Sequence, residues 1–147
     1  MNLAYKRVKA NKGAGGIDDV EVDELYSYIK ENWKSIEEQI RQRTYKPQPV
    51  RRVEIPKPNG GKRKLGIPTV MDRVIQQAIV QVISPMCEPC FSDRSYGFRP
   101  NRSCEMAIRK VLEYLNDGCT WIVDIDLEKF FDNVPQDKLM YLVHGII

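Results

Sequence analysis

Val53-Glu-Ile-Pro-Lys-Pro-Asn-Gly-Gly-Lys-Arg-Lys-Leu-Gly-Ile-Pro68 places two β-type runs around a Pro-Asn-Gly-Gly centre. That is the pattern of a hairpin: Val50 to Ile55 as one strand, Pro58 to Gly61 as a tight turn, Lys62 to Ile67 as the return strand. Pro47 and Pro49 fix an extended approach to it, because proline ends a helix and restricts the residue before it. The charge is concentrated here as well. From Arg41 to Lys64 the chain carries nine basic residues against one acid, Glu54, so this segment is +8 while the remainder sums to −5. Cations segregated onto a shaped two-stranded ribbon point to a polyanionic partner.

Outward from the hairpin the chain reads mostly as helix. Leu3 to Lys12 forms a short basic helix cut off by Gly13-Ala-Gly-Gly16, and from Val22 to Arg43 the positions Val22, Leu25, Ile29, Trp33, Ile36 and Ile40 recur at three or four residues, the spacing of one apolar helical face. On the other side, Thr69 with Asp72 three residues later fits a capping box. The helix it opens carries Val70, Val74, Ile75, Ala78, Ile79, Val82 and Ile83 on one side and should stop between Pro85 and Pro89. Phe91 to Arg102 has no periodicity and reads as a loop. Ser103 and Glu105 can start another helix with Ala107, Val111, Leu112 and Leu115 inward, ending by Gly118. Cys119 to Asp126 is expected as a buried strand, followed by a helix from Pro135 to His144. One strand needs neighbours, so the pattern reads as the front portion of a larger fold. The class expected is α+β, helix-rich with a basic β-hairpin.

Composition sets the outer bounds. At 147 residues and 17.1 kDa, with 29% charged and 42% apolar residues, the chain is neither a disordered tail nor a membrane protein. No apolar run approaches the ~20 residues of a bilayer span, and four cysteines are too few for a disulfide scaffold. A cytoplasmic setting is the expectation.

Thr120-Trp-Ile-Val-Asp-Ile-Asp-Leu-Glu-Lys-Phe-Phe-Asp132 carries the chemistry. In a strand, alternation would put Asp124 and Asp126 on one face with Ile125 on the other. Two buried carboxylates side by side repel and need a compensating cation. A hard divalent ion such as Mg²⁺, held by one or two carboxylates plus substrate phosphates, is the natural partner and the arrangement used in two-metal phosphoryl transfer. The plainer alternative is a strand end at which both acids reach solvent or pair with Arg and Lys.

Read together, the hairpin Val53 to Pro68, the helix segment Asp72-Arg-Val-Ile-Gln-Gln77, the loop Ser95-Tyr-Gly-Phe-Arg-Pro-Asn-Arg-Ser103 and the run Val123 to Asp132 resemble, in order and spacing, the N-terminal part of bacterial group II intron reverse transcriptases, the maturases. Lys6-Arg-Val-Lys-Ala-Asn-Lys-Gly13 and Thr44-Tyr-Lys-Pro-Gln-Pro49 resemble that family's N-terminal extension. The resemblance implies reverse-transcriptase fingers with the start of a palm: extension helices over 1–50, fingers over 51–118 and a truncated palm over 119–147. It further implies an RNA-directed DNA polymerase that also binds intron RNA. Lys57 and Arg63 match the fingertip residues that grip the dNTP triphosphate. Asp126 matches the first catalytic, metal-binding aspartate, with the Leu127 carbonyl as a further Mg²⁺ donor and Asp124 as a supporting position. Phe130 matches the ring under the sugar that excludes a 2′-hydroxyl. Arg51, Arg52, Lys62 and Lys64 are the hairpin cations for RNA. Arg99 and Arg102 match the block that approaches the template backbone, with one of them able to pair with Asp93 instead. Tyr96 and Phe98 could stack on a base, with core packing the plainer expectation for each. The implied partners are intron RNA, an RNA template/primer duplex and dNTP, with a homodimer through the fingers as a further option.

One departure from the family pattern matters. The second acidic motif, an aromatic-x-Asp-Asp turn, is missing from these 147 residues, so this chain by itself is expected not to polymerise. A different class of function, a stand-alone RNA-binding module without catalysis, shares the basic hairpin. A retron or CRISPR-linked polymerase shares the chemistry but not the N-terminal extension. Cys87 and Cys90 form a C-x-x-C without the second close pair that zinc requires. His144 is the only histidine, which leaves little for Ser–His or Cys–His catalysis. Gly13 to Gly16 does not follow a strand and is not read as a nucleotide-binding loop.

Overall fold

The structure, a computed structural model, describes residues 2–58 and 60–147; Asn59 of the expected turn lies outside the described residues. The elements run α1 (Asn2–Asn11), α2 (Leu25–Arg41), β1 (Arg51–Pro56), β2 (Lys62–Ile67), α3 (Val70–Cys87), a 3-10 turn at Glu88–Cys90, α4 (Cys104–Asn116), α5 (Phe130–Asn133) and α6 (Gln136–His144). The only sheet among the described residues is the antiparallel pair β1–β2, so the class is α+β with helix dominant. The chain divides into two compact units, residues 1–82 and 83–147.

The first unit is organised around one small core. Ala4 and Val8 of α1, Val22 and Leu25 at the start of α2, and Val70 and Val74 of α3 are buried together, with Tyr5, Ile29 and Ala78 packed against them. Val22 lies ahead of α2 in a turn, not within the helix, yet contributes to the core as its spacing indicated. The capping box forms: the Asp72 N–H donates to Thr69 Oγ1 at 3.1 Å, and the Thr69 hydroxyl donates to Asp72 Oδ2 at 2.8 Å. Gly16 explains why the Gly-rich loop precedes this point. A Cβ there would lie 2.6 Å from Thr69 Cα and 2.7 Å from Thr69 N, so only glycine lets the loop backbone rest on the start of α3. Arg73 holds the same loop, donating to the Lys12 carbonyl at 3.3 Å and the Ala14 carbonyl at 2.8 Å.

The second unit departs from expectation in three places. Val111, Leu112 and Leu115 of α4 are exposed, not inward. Cys119 to Asp126 belongs to no helix or sheet, and Trp121, at 93% exposure, stands in solvent with Ile122, Val123 and Ile125. The physical reason is common to both: an apolar face is buried only where another surface meets it, and a strand is a strand only when paired. A one-turn helix, α5, follows where extended chain was expected to continue. The start of α4 is as read, with the Ser103 hydroxyl accepting the Met106 N–H at 3.3 Å.

Candidate nucleic-acid interface

The hairpin register pairs Arg51 with Ile67, Arg52 with Gly66, Val53 with Leu65, Glu54 with Lys64, Ile55 with Arg63 and Pro56 with Lys62. Side chains on paired residues share a face, and faces alternate along each strand. One face therefore carries Arg52, Glu54, Lys62 and Lys64; the other carries Arg51, Val53, Ile55, Arg63, Leu65 and Ile67. The second face is the half-buried one, at Val53, Leu65 and Ile67. The tip is closed by the Gly60 N–H donating to the Lys57 carbonyl at 3.1 Å and the Lys57 N–H donating to the Gly61 carbonyl at 3.0 Å. Gly60 and Gly61 have φ of +83° and +81°, which favours glycine at both positions.

This geometry sorts the sequence-derived cations into two sets. Lys57 and Arg63 come together with Ile55, Pro56, Pro58 and Leu65 around a pocket of about 400 Å³ at the tip of the apolar face. Arg52, Lys62 and Lys64 lie on the opposite, solvent-facing side. Lys62 pairs with Glu54 at 2.7 Å and Arg51 with Asp19 at 3.2 Å, both as exposed ion pairs. Exposed pairs are worth ~1 kcal/mol or less, so neither cation is withdrawn from an incoming phosphate.

The hairpin is tied to α3 by one buried carboxylate. Asp72, 2% exposed, accepts from the Thr69 hydroxyl, from the Tyr45 hydroxyl at 2.5 Å and from the Gln48 N–H at 3.0 Å. These bonds fix the Tyr45–Gln48 segment that leads into β1. Burial, reinforced by the Asp72 carboxylate, pushes the Tyr45 hydroxyl well above its ordinary pKa. Sequence reading found Asp72 as a cap and missed Tyr45, 27 residues away. Arg73 and Gln77 were missed as well: both line a pocket of about 260 Å³ with Asn11 and Lys12, where Arg73 Nε and Gln77 Nε2 are buried without a partner among the described residues.

In the second unit the loop arginines have internal roles. Arg99, its side chain 6% exposed, donates from Nε to Glu88 at 3.1 Å, from Nη2 to Glu88 at 2.7 Å and from Nη1 to the carbonyls of Ser92 and Ser95. Its guanidinium also lies over the Phe91 ring. The Arg99 hydrogen bonds hold the Glu88 carboxyl below its ordinary pKa. Four of the five Arg99 N–H donors are thus directed to its own loop, at Glu88, Ser92 and Ser95. Arg102 donates to the Asp93 carbonyl at 3.1 Å, lies 3.7 Å from the Asp93 carboxylate and covers the Tyr96 ring. Phe98 is fully exposed at a positive φ of 56° rather than in a core.

Asp126 is exposed, and its Oδ1 accepts the Leu127 N–H at 3.0 Å. Asp124 is exposed too, so the shared strand face expected for the two acids does not form. Phe130 opens α5, half exposed and edge-to-face with Phe131. A carboxylate and a backbone carbonyl are hard oxygen donors suited to Mg²⁺. No group of three His, Cys, Asp or Glu among the described residues is gathered around a common point, so the donors fit the ion in kind and would need substrate oxygens to complete it.

The hairpin therefore presents cations on both of its faces. Residues 55–146 match the family model for reverse transcriptase (RNA-dependent DNA polymerase). The group II intron-encoded protein LtrA of Lactococcus lactis subsp. cremoris is 39% identical over 145 residues, covering 97% of this chain and 24% of that protein. Protein YkfC of Escherichia coli is 39% identical over 140 residues, or 91% and 37% of the two chains. The mitochondrial nuclear intron maturase 1 of Arabidopsis thaliana is 29% identical over 80 residues, or 54% and 11%. The chain belongs to the reverse transcriptase family, in its group II intron-encoded maturase branch. It spans about a quarter of the length of LtrA. No helix among the described residues is long and apolar enough to cross a membrane.

Proposed function

We propose that this chain provides the extension, fingers and first palm segment of a cytoplasmic, intron-encoded RNA-directed DNA polymerase that also binds its intron RNA. The observation that carries this reading is the hairpin tip, where Lys57 and Arg63 share one pocket. Two cations against an apolar floor suit a triphosphate tail, because a desolvated wall strengthens each charge-assisted bond. The opposite face, with Arg52, Lys62 and Lys64, suits the RNA backbone. Asp126 and the Leu127 carbonyl would hold Mg²⁺, which supplies charge stabilisation at the reacting phosphate when bound. Phe130 would line the sugar site and exclude a 2′-hydroxyl by its bulk.

Primer extension tests the reading. In the full-length protein, Asp126→Ala should abolish cDNA synthesis on a primed RNA template while leaving RNA affinity within about twofold, since the removed carboxylate is not a phosphate contact. The 147-residue chain alone should incorporate no dNTP. Equal loss of synthesis and of RNA binding on Asp126→Ala would make the acid structural. RNA binding by a natural protein with no synthesis would favour a stand-alone RNA-binding module.

A further inference from the structure

The second unit contains four arginines. Arg99 and Arg102 are joined to carboxylates, as described above; Arg94 and Arg109 have no carboxylate within ion-pair distance among the described residues. These two line one concave surface of about 580 Å³ with Asp93, Tyr96, Met106, Lys110 and Glu113. Arg94 is held from behind: its guanidinium lies 5.5 Å from the centre of the Tyr114 ring, and Lys110 lies 5.1 Å from the same ring. An arginine already seated on an aromatic face loses less side-chain freedom when it takes an anion. Both acids of the surface are engaged, Glu113 with Lys110 at 2.5 Å and Asp93 with Arg102 at 3.7 Å. What remains unsatisfied is cationic.

We propose that the concave surface between the 92–96 loop and α4 is a phosphodiester-binding site in which Arg94 and Arg109 each contact a backbone phosphate of an RNA strand. Its two arginines are distinct from the hairpin cations and from Arg99 and Arg102, although Arg102 borders the surface through Asp93 and Tyr96. It rests on the proposed RNA-binding function and adds a second, independently testable contact to it. Arginine suits this task because its planar fork can give two parallel bonds to one phosphate. The neighbouring carboxylates exclude a strand running centrally through the pocket and confine the phosphates to the Arg94 and Arg109 rim.

The test is the salt dependence of RNA affinity in the full-length protein, read by fluorescence anisotropy with a labelled single-stranded RNA between about 50 and 200 mM salt. Losing two phosphate contacts should flatten the slope of log affinity against log salt by about 1.4, at about 0.7 per contact on a single strand. Arg94→Gln with Arg109→Gln should show that loss, and the double lysine variant should recover most of it, which a folding defect would not. An unchanged slope in the glutamine variant, alongside a flattened slope in a hairpin variant (Arg52→Gln with Lys64→Gln), overturns this site alone. An absence of salt-dependent binding in the wild type overturns it together with the RNA-binding reading.

Discussion

Asp72 is a buried carboxylate with no cation in ion-pair contact among the described residues, and it is tolerated because all its company donates hydrogen. Three donors from two segments, Tyr45 and Gln48 on one side and Thr69 on the other, replace the water it loses. Bonds to a charged acceptor contribute about 1.5–3 kcal/mol each, so Tyr45→Phe should lower the unfolding free energy by that amount in a denaturant titration. The same contact gives a pH signature. The Tyr45 hydroxyl has a raised pKa in the folded chain. The unfolded chain therefore releases this proton first as pH rises past the ordinary tyrosine value of about 10. The contribution is complete below that value and is lost progressively above it. Wild-type stability should accordingly show an alkaline decline that is reduced in Tyr45→Phe. Parallel pH profiles for the two proteins would mean that the hydroxyl is not held by Asp72 in solution.

At the scale of elements, the decisive packing is a loop backbone laid on a helix start. Gly16 meets Thr69 backbone atoms at distances no Cβ can occupy, and backbone cannot swing away as a long side chain can. Gly16→Ala should therefore cost about 1–3 kcal/mol, the usual range for overpacking, measured by thermal or denaturant unfolding. A variant as stable as wild type would show the loop free to lift from α3. This glycine also marks what the sequence made legible. The hairpin, the capping box at Thr69 and Asp72, the Ser103 cap and the 91–102 loop were all readable, because each depends on residues within a few positions of one another. The Tyr45–Asp72 bond and the Arg99–Glu88 pair were not. Their partners are 27 and 11 residues apart, and no local pattern links them. The candidate site divides in the same way. The hairpin and its cations were readable, whereas their division between two faces and the commitment of Arg99 to its own loop could be seen only once the strand register and Glu88, Ser92 and Ser95 were in place.

Over the whole molecule, burial is unevenly shared. Every residue of the buried core cluster belongs to the first unit, while the apolar run from Trp121 to Ile125 stands in solvent. Periodicity identifies residues that can be buried; it does not supply the surface that buries them, which is why a buried strand was expected over 119–126 and an unpaired segment is found. The two states differ in hydrogen bonding. From Thr120 to Asp126 no backbone N–H has a partner among the described residues, whereas the amides of α3 beyond its first turn are bonded within the helix and adjoin the core. Amide exchange follows the free energy of opening, which is near zero for unbonded chain and approaches the global value around a core. In the 147-residue chain, amides 120–126 should exchange at close to intrinsic rates, and those of Val74 to Ala78 at least about a thousandfold more slowly, as a few kcal/mol of local stability requires. Comparable protection of both segments would mean that residues 120–126 are paired in solution. The carboxylates Asp124 and Asp126 would then share a strand face after all, and with it the mutual repulsion that calls for a cation.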